Sequence, residues 1–189
     1  MKIGLYFGTF NPIHIGHLII ANHVLNQNIF SEVWFIVSPQ NPLKPGNSAL
    51  DPSVRLHLID LAIKNEVNLK ACDIEFDLPR PSYTIDTLKA LKVKYPKNEF
   101  SVILGSDSFL RLPEWKDYQT LVNNYYFFIY ERPGFEINEP VNNAQLIPDT
   151  PLLNISSTRI RELIQNQLSI KYLVPDLVKD EIEKMGYYR

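Results

Sequence analysis

The stretch Gly8-Thr9-Phe10-Asn11-Pro12-Ile13-His14-Ile15-Gly16-His17 decides how the rest of the chain is read. Before it, Lys2 to Phe7 is a short, apolar, β-prone run that ends at Gly8, the pattern of a buried strand. After it, Gly16 to Asn26 carries Leu18, Ala21 and Leu25 at helical spacing, with Asn22 and Asn26 off that stripe, which predicts a helix beginning near Gly16.

Working outward, the same alternation continues. Val33 to Val37 is a second unbroken apolar run, stopped by Ser38 and Pro39, and such runs suit strands covered by helices on both faces. Pro42, Pro45 and Gly46 punctuate a loop over Gln40 to Ser48. Asp51 and Pro52 open a helix to about Lys64, because Asp caps free amides and Pro is tolerated in the first turn. Leu69 to Phe76 reads as a strand, Tyr83 to Tyr95 as a helix with Leu88 and Leu91 on one face, and Phe100 to Leu104 as a strand that ends in Gly105, Ser106 and Asp107. Tyr125 to Tyr130 is a fifth strand. Between Pro133 and Pro151 periodicity is lost, apart from a short strand at Gln145 to Ile147, and Ser156 to Gln165 and Pro175 to Met185 close the chain as helices. The expectation is an α/β fold built on a doubly wound, mainly parallel sheet with right-handed crossovers. No repeat, low-complexity tract or linker divides it, so one domain is expected over residues 1–189.

Bulk properties narrow the partners. With 45% apolar residues the chain can bury a sizeable core. Its 19 basic and 21 acidic side chains nearly cancel and are scattered, which disfavours nucleic acid or an anionic membrane as partner. Cys72 is alone and no Cys/His cluster has zinc-ligand spacing, so a reducing, cytoplasmic setting is expected. Met1 runs directly into the first strand without signal-peptide features, and no apolar run approaches the roughly 20 residues that cross a bilayer. A soluble protein acting on small molecules is the expectation.

The chemistry concentrates after the first strand, where ligands of open α/β sheets bind. Gly8 and Gly16 let the main chain approach a ligand closely. The unpaired amides of the helix start, helped by the macrodipole, favour phosphate. His14 and His17, three apart, offer two rings able to donate hydrogen bonds to a phosphate that gains charge. The plainer reading is a tight turn with two polar surface histidines. Metal binding by this pair lacks a third ligand nearby, and His23 and His57 read as surface residues. A second candidate corner is Ile155-Ser156-Ser157-Thr158-Arg159-Ile160-Arg161, with hydroxyls and amides at a helix start followed by two cations; alone it also reads as an ordinary helix cap.

The first stretch resembles the signature of the (H/T)xGH nucleotidylyltransferase superfamily, here His14-Ile15-Gly16-His17, and the second corner resembles that superfamily's other motif. The resemblance narrows to the bacterial nicotinate mononucleotide adenylyltransferases through Pro81-Ser82-Tyr83-Thr84-Ile85-Asp86-Thr87-Leu88, Leu104-Gly105-Ser106-Asp107, Trp115-Lys116-Asp117-Tyr118 and Arg132-Pro133-Gly134. It implies a Rossmann-like nucleotidylyltransferase fold and an enzyme that joins ATP, carried with Mg²⁺, to nicotinate mononucleotide, giving deamido-NAD and pyrophosphate. It implies ATP binding by Gly8, Thr9, Phe10, His14, Gly16, His17, Gly105, Asp107, Ile155, Ser156, Ser157, Thr158 and Arg161, with His14, His17 and Arg161 catalytic. Thr84 and Trp115 would hold the nicotinate ring, and Lys44 and Arg132 would meet phosphates. Each has a bland counterpart: a helix-start threonine, a core indole, a loop lysine, a surface ion pair. Arg80 stands where the family more often has glycine, which leaves the loop beside Thr84 open. Competing readings are a phosphopantetheine adenylyltransferase or a cytidylyltransferase, and a nucleotide-binding regulator without turnover.

Overall fold

The structure is a computed structural model that describes residues 1–40, 49–137 and 142–189. Six strands form one parallel sheet: β1 (Lys2–Gly8), β2 (Glu32–Val37), β3 (Leu69–Cys72), β4 (Glu99–Gly105), β5 (Tyr126–Tyr130) and β6 (Ala144–Leu146), in the order β3-β2-β1-β4-β5-β6. Helices α1 (Ile15–Asn26), α2 (Pro52–Ala62), α3 (Thr84–Lys94), α4 (Ser106–Phe109), α5 (Tyr118–Asn124), α6 (Ser157–Gln165) and α7 (Asp176–Met185) lie between and after the strands. The expected doubly wound α/β architecture is therefore what the chain adopts.

The strands are apolar without alternation because each alternates between two apolar layers. Tyr6, Phe35, Ile103 and Phe128 face the cluster that holds Ile20 and Ala21 of α1, Leu58 and Ile59 of α2, Ile160 of α6 and Val178 of α7. Leu5, Ile36, Val102 and Phe127, their chain neighbours, face Ile85 and Leu88 of α3, Phe109 of α4 and Leu121 of α5. Each fully buried aliphatic side chain contributes about 1.5–3 kcal/mol relative to exposure, so both layers hold the sheet's strand ends in place.

Local signals set the helix starts. The Asp51 carboxylate accepts the Ser53 N–H at 2.8 Å ahead of Pro52, and Ser156 accepts the Arg159 N–H at 3.2 Å. Gly186 ends α7 at φ 66°, a left-handed conformation that glycine adopts without cost.

Four expectations are corrected. The third strand stops at Cys72 rather than Phe76, because Ile74–Asp77 winds into a 3-10 turn that carries Glu75 into the interior against Thr87. The core-facing side of α1 is Gly16, Ile20, Ala21 and Val24, with Leu18 and Leu25 only half-buried; the helix is apolar nearly all round, so packing and not the stripe selects its buried face. The short strand β6 begins one residue earlier than expected. Residues 106–124, unassigned from sequence, hold α4, a 3-10 turn at Leu112–Glu114 and α5, all too short for a helical period to emerge. Lys44 lies outside the described residues.

Candidate active site

The sheet runs outward from β1 to β3 and then returns to place β4 on the other side of β1. Adjacent crossovers therefore leave the carboxyl ends of β1 and β4 in opposite directions, and the crevice that opens there is where doubly wound sheets bind ligands. Gly8 ends β1 and Gly105 ends β4, so both sequence-predicted strand ends flank this crevice.

The first corner is packed around the two histidines. His14 is the extended N-cap residue of α1, its N–H donates to His17 Nδ1 at 3.3 Å, and the two rings stack with centroids 3.6 Å apart. Phe10 and Tyr6 present edges to His17 at 5.0 and 5.9 Å, which fixes that ring from the sheet side. Gly16 has a steric role that sequence reasoning assigned to ligand approach: a Cβ there would sit 3.0 Å from His14 Nδ1 and 3.1 Å from its Cε1. Gly8 likewise leaves room for the Phe10 ring, 2.7 Å from where its Cβ would be. Burial, aided by nearby Arg132, lowers the His14 pKa to about 4. His14 is therefore a neutral imidazole at pH 7, suited to donating one hydrogen bond without carrying a proton to give away.

The second corner folds directly onto the first. Ser157 Oγ donates to Pro12 O at 2.8 Å, and Arg161 Nη1 donates to Asn11 O at 2.8 Å. The Ile155 side chain lies 3.6 Å from the Cβ position of Gly16. Two helix starts far apart in sequence are thus bonded to one another. The hydroxyls are used differently from the expectation. Ser156 caps its own helix, Ser157 bonds the first corner, and Thr158 Oγ1 accepts from Arg161 at 3.3 Å. The cap reading of this motif holds for Ser156.

Opposite these corners, Asp107 lies in the first turn of α4 and pairs with Arg132 at 3.1 Å, instead of capping the helix. The Arg132 N–H donates to Ser106 Oγ at 2.9 Å, tying the segment after β5 to the end of β4. A side chain at 105 would strike this pair, because its Cβ would lie 2.6 Å from Asp107 Oδ1 and 2.8 Å from Arg132 Cδ. A cavity of about 360 Å³ opens beside it, lined by Asp107, Arg132, Pro133, Phe135, Leu153 and Asn154.

Unpaired polar atoms mark the same region. Among the described residues six buried side-chain polar atoms lack a hydrogen-bond partner, and four of them are Thr9 Oγ1, His14 Nδ1, Asp107 Oδ1 and Trp115 Nε1. Buried polar groups are normally satisfied, so this concentration in predicted site residues points to ligand contacts.

Comparison with known proteins gives the family. Residues 5–163 match the cytidylyltransferase-like family. Over its full length the chain is 45% identical to the full length of the probable nicotinate-nucleotide adenylyltransferase of Flavobacterium psychrophilum. The Plasmodium falciparum nicotinic acid mononucleotide adenylyltransferase, solved in complexes with NaAD and with APC, superposes with a TM-score of 0.81 and 26% identity; the match covers 99% of this chain and 97% and 96% of those two. The chain belongs to the nicotinate-nucleotide adenylyltransferase family.

The Pro81–Leu88 and Trp115–Tyr118 segments meet near the start of α3. Thr84 is its first residue and is half-buried. Trp115 is half-buried against the apolar cluster that includes α3 and α5, the core role expected of a lone indole. Lys116 bridges the two segments, pairing with Asp86 at 2.8 Å and lying 4.9 Å over the Tyr83 ring. Exposed Arg80 precedes a cis bond to Pro81, and the Ser82 N–H donates to Gln40 O at 3.2 Å. Beneath this loop, Glu75 accepts from Thr87 Oγ1 at 2.7 Å; burial raises its carboxyl above the usual range, while the hydroxyls of Thr87, Ser38 and Ser82 oppose the shift. His57 is exposed as expected, whereas His23 is half-buried and bonds Pro148 O at 2.8 Å.

Sequence reasoning missed Arg55, Asn11, Glu75 and Tyr188. The first left a signal: with Leu58 and Ile59, Arg55 forms the buried i, i+3, i+4 stripe of α2, where an arginine is out of place. Tyr188 left none, since its partner Asn11 is 177 positions away.

Proposed function

We propose that the protein transfers the adenylyl group of ATP to nicotinate mononucleotide, releasing pyrophosphate and forming deamido-NAD. The observation that carries this is the convergence of the two anion corners, Ser157 Oγ on Pro12 O and Arg161 on Asn11 O, at the sheet's switch point. Family membership supplies the substrate class. ATP enters as its Mg²⁺ complex, because magnesium is held largely by substrate phosphates in such sites.

In this reading an ionised phosphate oxygen of the mononucleotide attacks the α-phosphorus in line. One P–O bond forms, the bond to the bridging α–β oxygen breaks, and its electrons leave with pyrophosphate. The attacking oxygen is already charged, so no protein base is required, and catalysis rests on alignment and on donors placed where charge gathers. Neutral His14 donates to the phosphoryl oxygens of the transition state. His17, the helix-start amides of Gly16 and of Ser157 and Thr158, and the remaining Arg161 donors hold the departing phosphates. Gly8, Thr9, Phe10 and Ile155 shape the nucleotide pocket, and Gly105 and Asp107 receive ribose hydroxyls. Arg132 meets a phosphate in exchange for its ion pair, and Lys44 brings a further charge to the phosphates. Trp115 stacks on the pyridine ring beside Thr84.

The reading takes residues 1–189 as one domain, supported by a single sheet that carries both apolar layers. It takes the cytoplasm as the compartment, supported by a lone, half-buried Cys72. The experiment is an acceptor panel: ATP with nicotinate mononucleotide, nicotinamide mononucleotide or phosphopantetheine, reading pyrophosphate release. Release with nicotinate mononucleotide is expected to dominate. Faster release with phosphopantetheine, or none from any acceptor despite ATP binding, would sink the assignment.

A further inference from the structure

Arg55 lies behind the first corner and has no part in the steps just described. It is 0% exposed. Its four hydrogen bonds among the described residues all go to main-chain carbonyls. Nε donates to Leu50 O at 2.8 Å, Nη1 to Ser38 O at 2.9 Å and also to Thr9 O, and Nη2 to Pro39 O at 3.3 Å. Thr9 belongs to the corner itself, Ser38 and Pro39 follow β2, and Leu50 precedes α2, so one guanidinium gathers three separate backbone segments. A second point of attachment lies alongside. Asn11 Oδ1 accepts the Leu50 N–H at 3.2 Å and the Tyr188 hydroxyl at 2.9 Å, which ties the segment after the last helix to the same corner.

The consequence is electrostatic as well as steric. In a planar trans peptide the C=O and the following N–H point in opposite directions. Thr9 O turned toward Arg55 therefore turns the Phe10 N–H to the other side. The Ser157 bond to Pro12 O turns the Ile13 N–H away in the same sense, whereas Asn11 O, taken by Arg161, precedes Pro12, which has no N–H, and the Ile15 N–H that follows His14 O donates to Leu173 O at 2.9 Å. The carbonyls, the negative ends of these peptides, are claimed by protein donors. The main-chain donors this leaves at the corner are the Phe10 and Ile13 N–H groups, and a carbonyl turned away beside a free N–H is the condition for binding phosphate through main chain. Arg55 holds Thr9 O, which the second corner does not reach.

We propose that Arg55, assisted by Tyr188 through Asn11, is a positioning residue for phosphate binding: it sets the peptide planes of the Thr9–His14 corner and so the affinity for the triphosphate and for pyrophosphate, without touching either. The proposal rests on the adenylyl-transfer reading above.

Two variants test it. Arg55→Lys keeps a charge but cannot span four carbonyls, and Tyr188→Phe removes a single hydroxyl near the surface. For each folded variant, inorganic pyrophosphate binding is measured by calorimetry, and KM is measured separately for ATP and for nicotinate mononucleotide. Arg55→Lys is expected to weaken pyrophosphate binding and to raise KM for ATP by about tenfold, and Tyr188→Phe by about threefold, the scale of one lost or misaligned hydrogen bond. KM for the mononucleotide is expected to stay within about twofold, and a loss of folded fraction alone would lower kcat and leave both KM values in place. Unchanged pyrophosphate affinity in both variants overturns the proposal, as does an equal rise in both KM values. Should Arg55→Lys fail to fold, Tyr188→Phe decides by the same criteria. A wild-type protein that binds pyrophosphate but adenylylates no acceptor would remove the functional reading and leave the pyrophosphate comparison valid.

Discussion

His14 concentrates the residue-scale argument. Its ring is packed on His17 and lies over a glycine that has no side chain to displace it. Replacing it by Ala removes one donor from the developing charge, and turnover is expected to fall by about 10²- to 10³-fold, the loss typical of a single such donor. Steady-state pyrophosphate release checks this, and full activity in the variant would take His14 out of the mechanism. The lowered pKa carries a second expectation. The unfolded state takes up a proton as pH drops through about 6.5, whereas the folded state resists until about 4. Stability is therefore expected to decline on acidification across that window, by roughly 3 kcal/mol for a shift of this size, and to level off below it. Denaturant titrations from pH 4 to 7 should show this slope in the wild type and lose that part of it in His14→Ala. An identical slope in both proteins would contradict the assignment.

At the scale of elements, the helix starts carry the site. Gly16 lies in the first turn of α1, where Ala would ordinarily favour the helix by up to about 1 kcal/mol. Gly16→Ala is nevertheless expected to lower turnover, because the new methyl would press on the His14 ring at 3.0 Å. Stability measured by thermal unfolding should hold or rise while kcat falls; a drop in both would mean that the glycine serves folding alone. The starts of α1, α2 and α6 were legible in the sequence because each is written in residues close together along the chain: Gly16 and Leu18, Asp51 and Pro52, Ser156 and Ser157. The two corners were legible for the same reason. The turn at Ile74–Asp77 was not, since Leu69 to Phe76 is apolar enough for a strand and only the tertiary bond from Thr87 to Glu75 draws the chain inward. Arg55 was readable only as a misfit, and the anchor from Tyr188 to Asn11 is a pairing that no local pattern announces.

For the whole molecule, one sheet serves two layers, so damage to either is felt by both. Leu5 is fully buried at the centre of β1, in register with Trp34 on one side and Val102 on the other. Leu5→Ala is expected to cost about 2–5 kcal/mol and to leave a single unfolding transition when circular dichroism and tryptophan fluorescence are compared. Separate transitions would show that the layers melt independently. The sheet's two outermost strands are also its shortest, four residues in β3 and three in β6, and β3 carries Lys70 engaged with Glu32 of its neighbour at 2.9 Å. Little main chain is thus offered to a strand from another molecule, so clumping on heating should begin from opened chains and should track the unfolded population rather than the concentration of native protein.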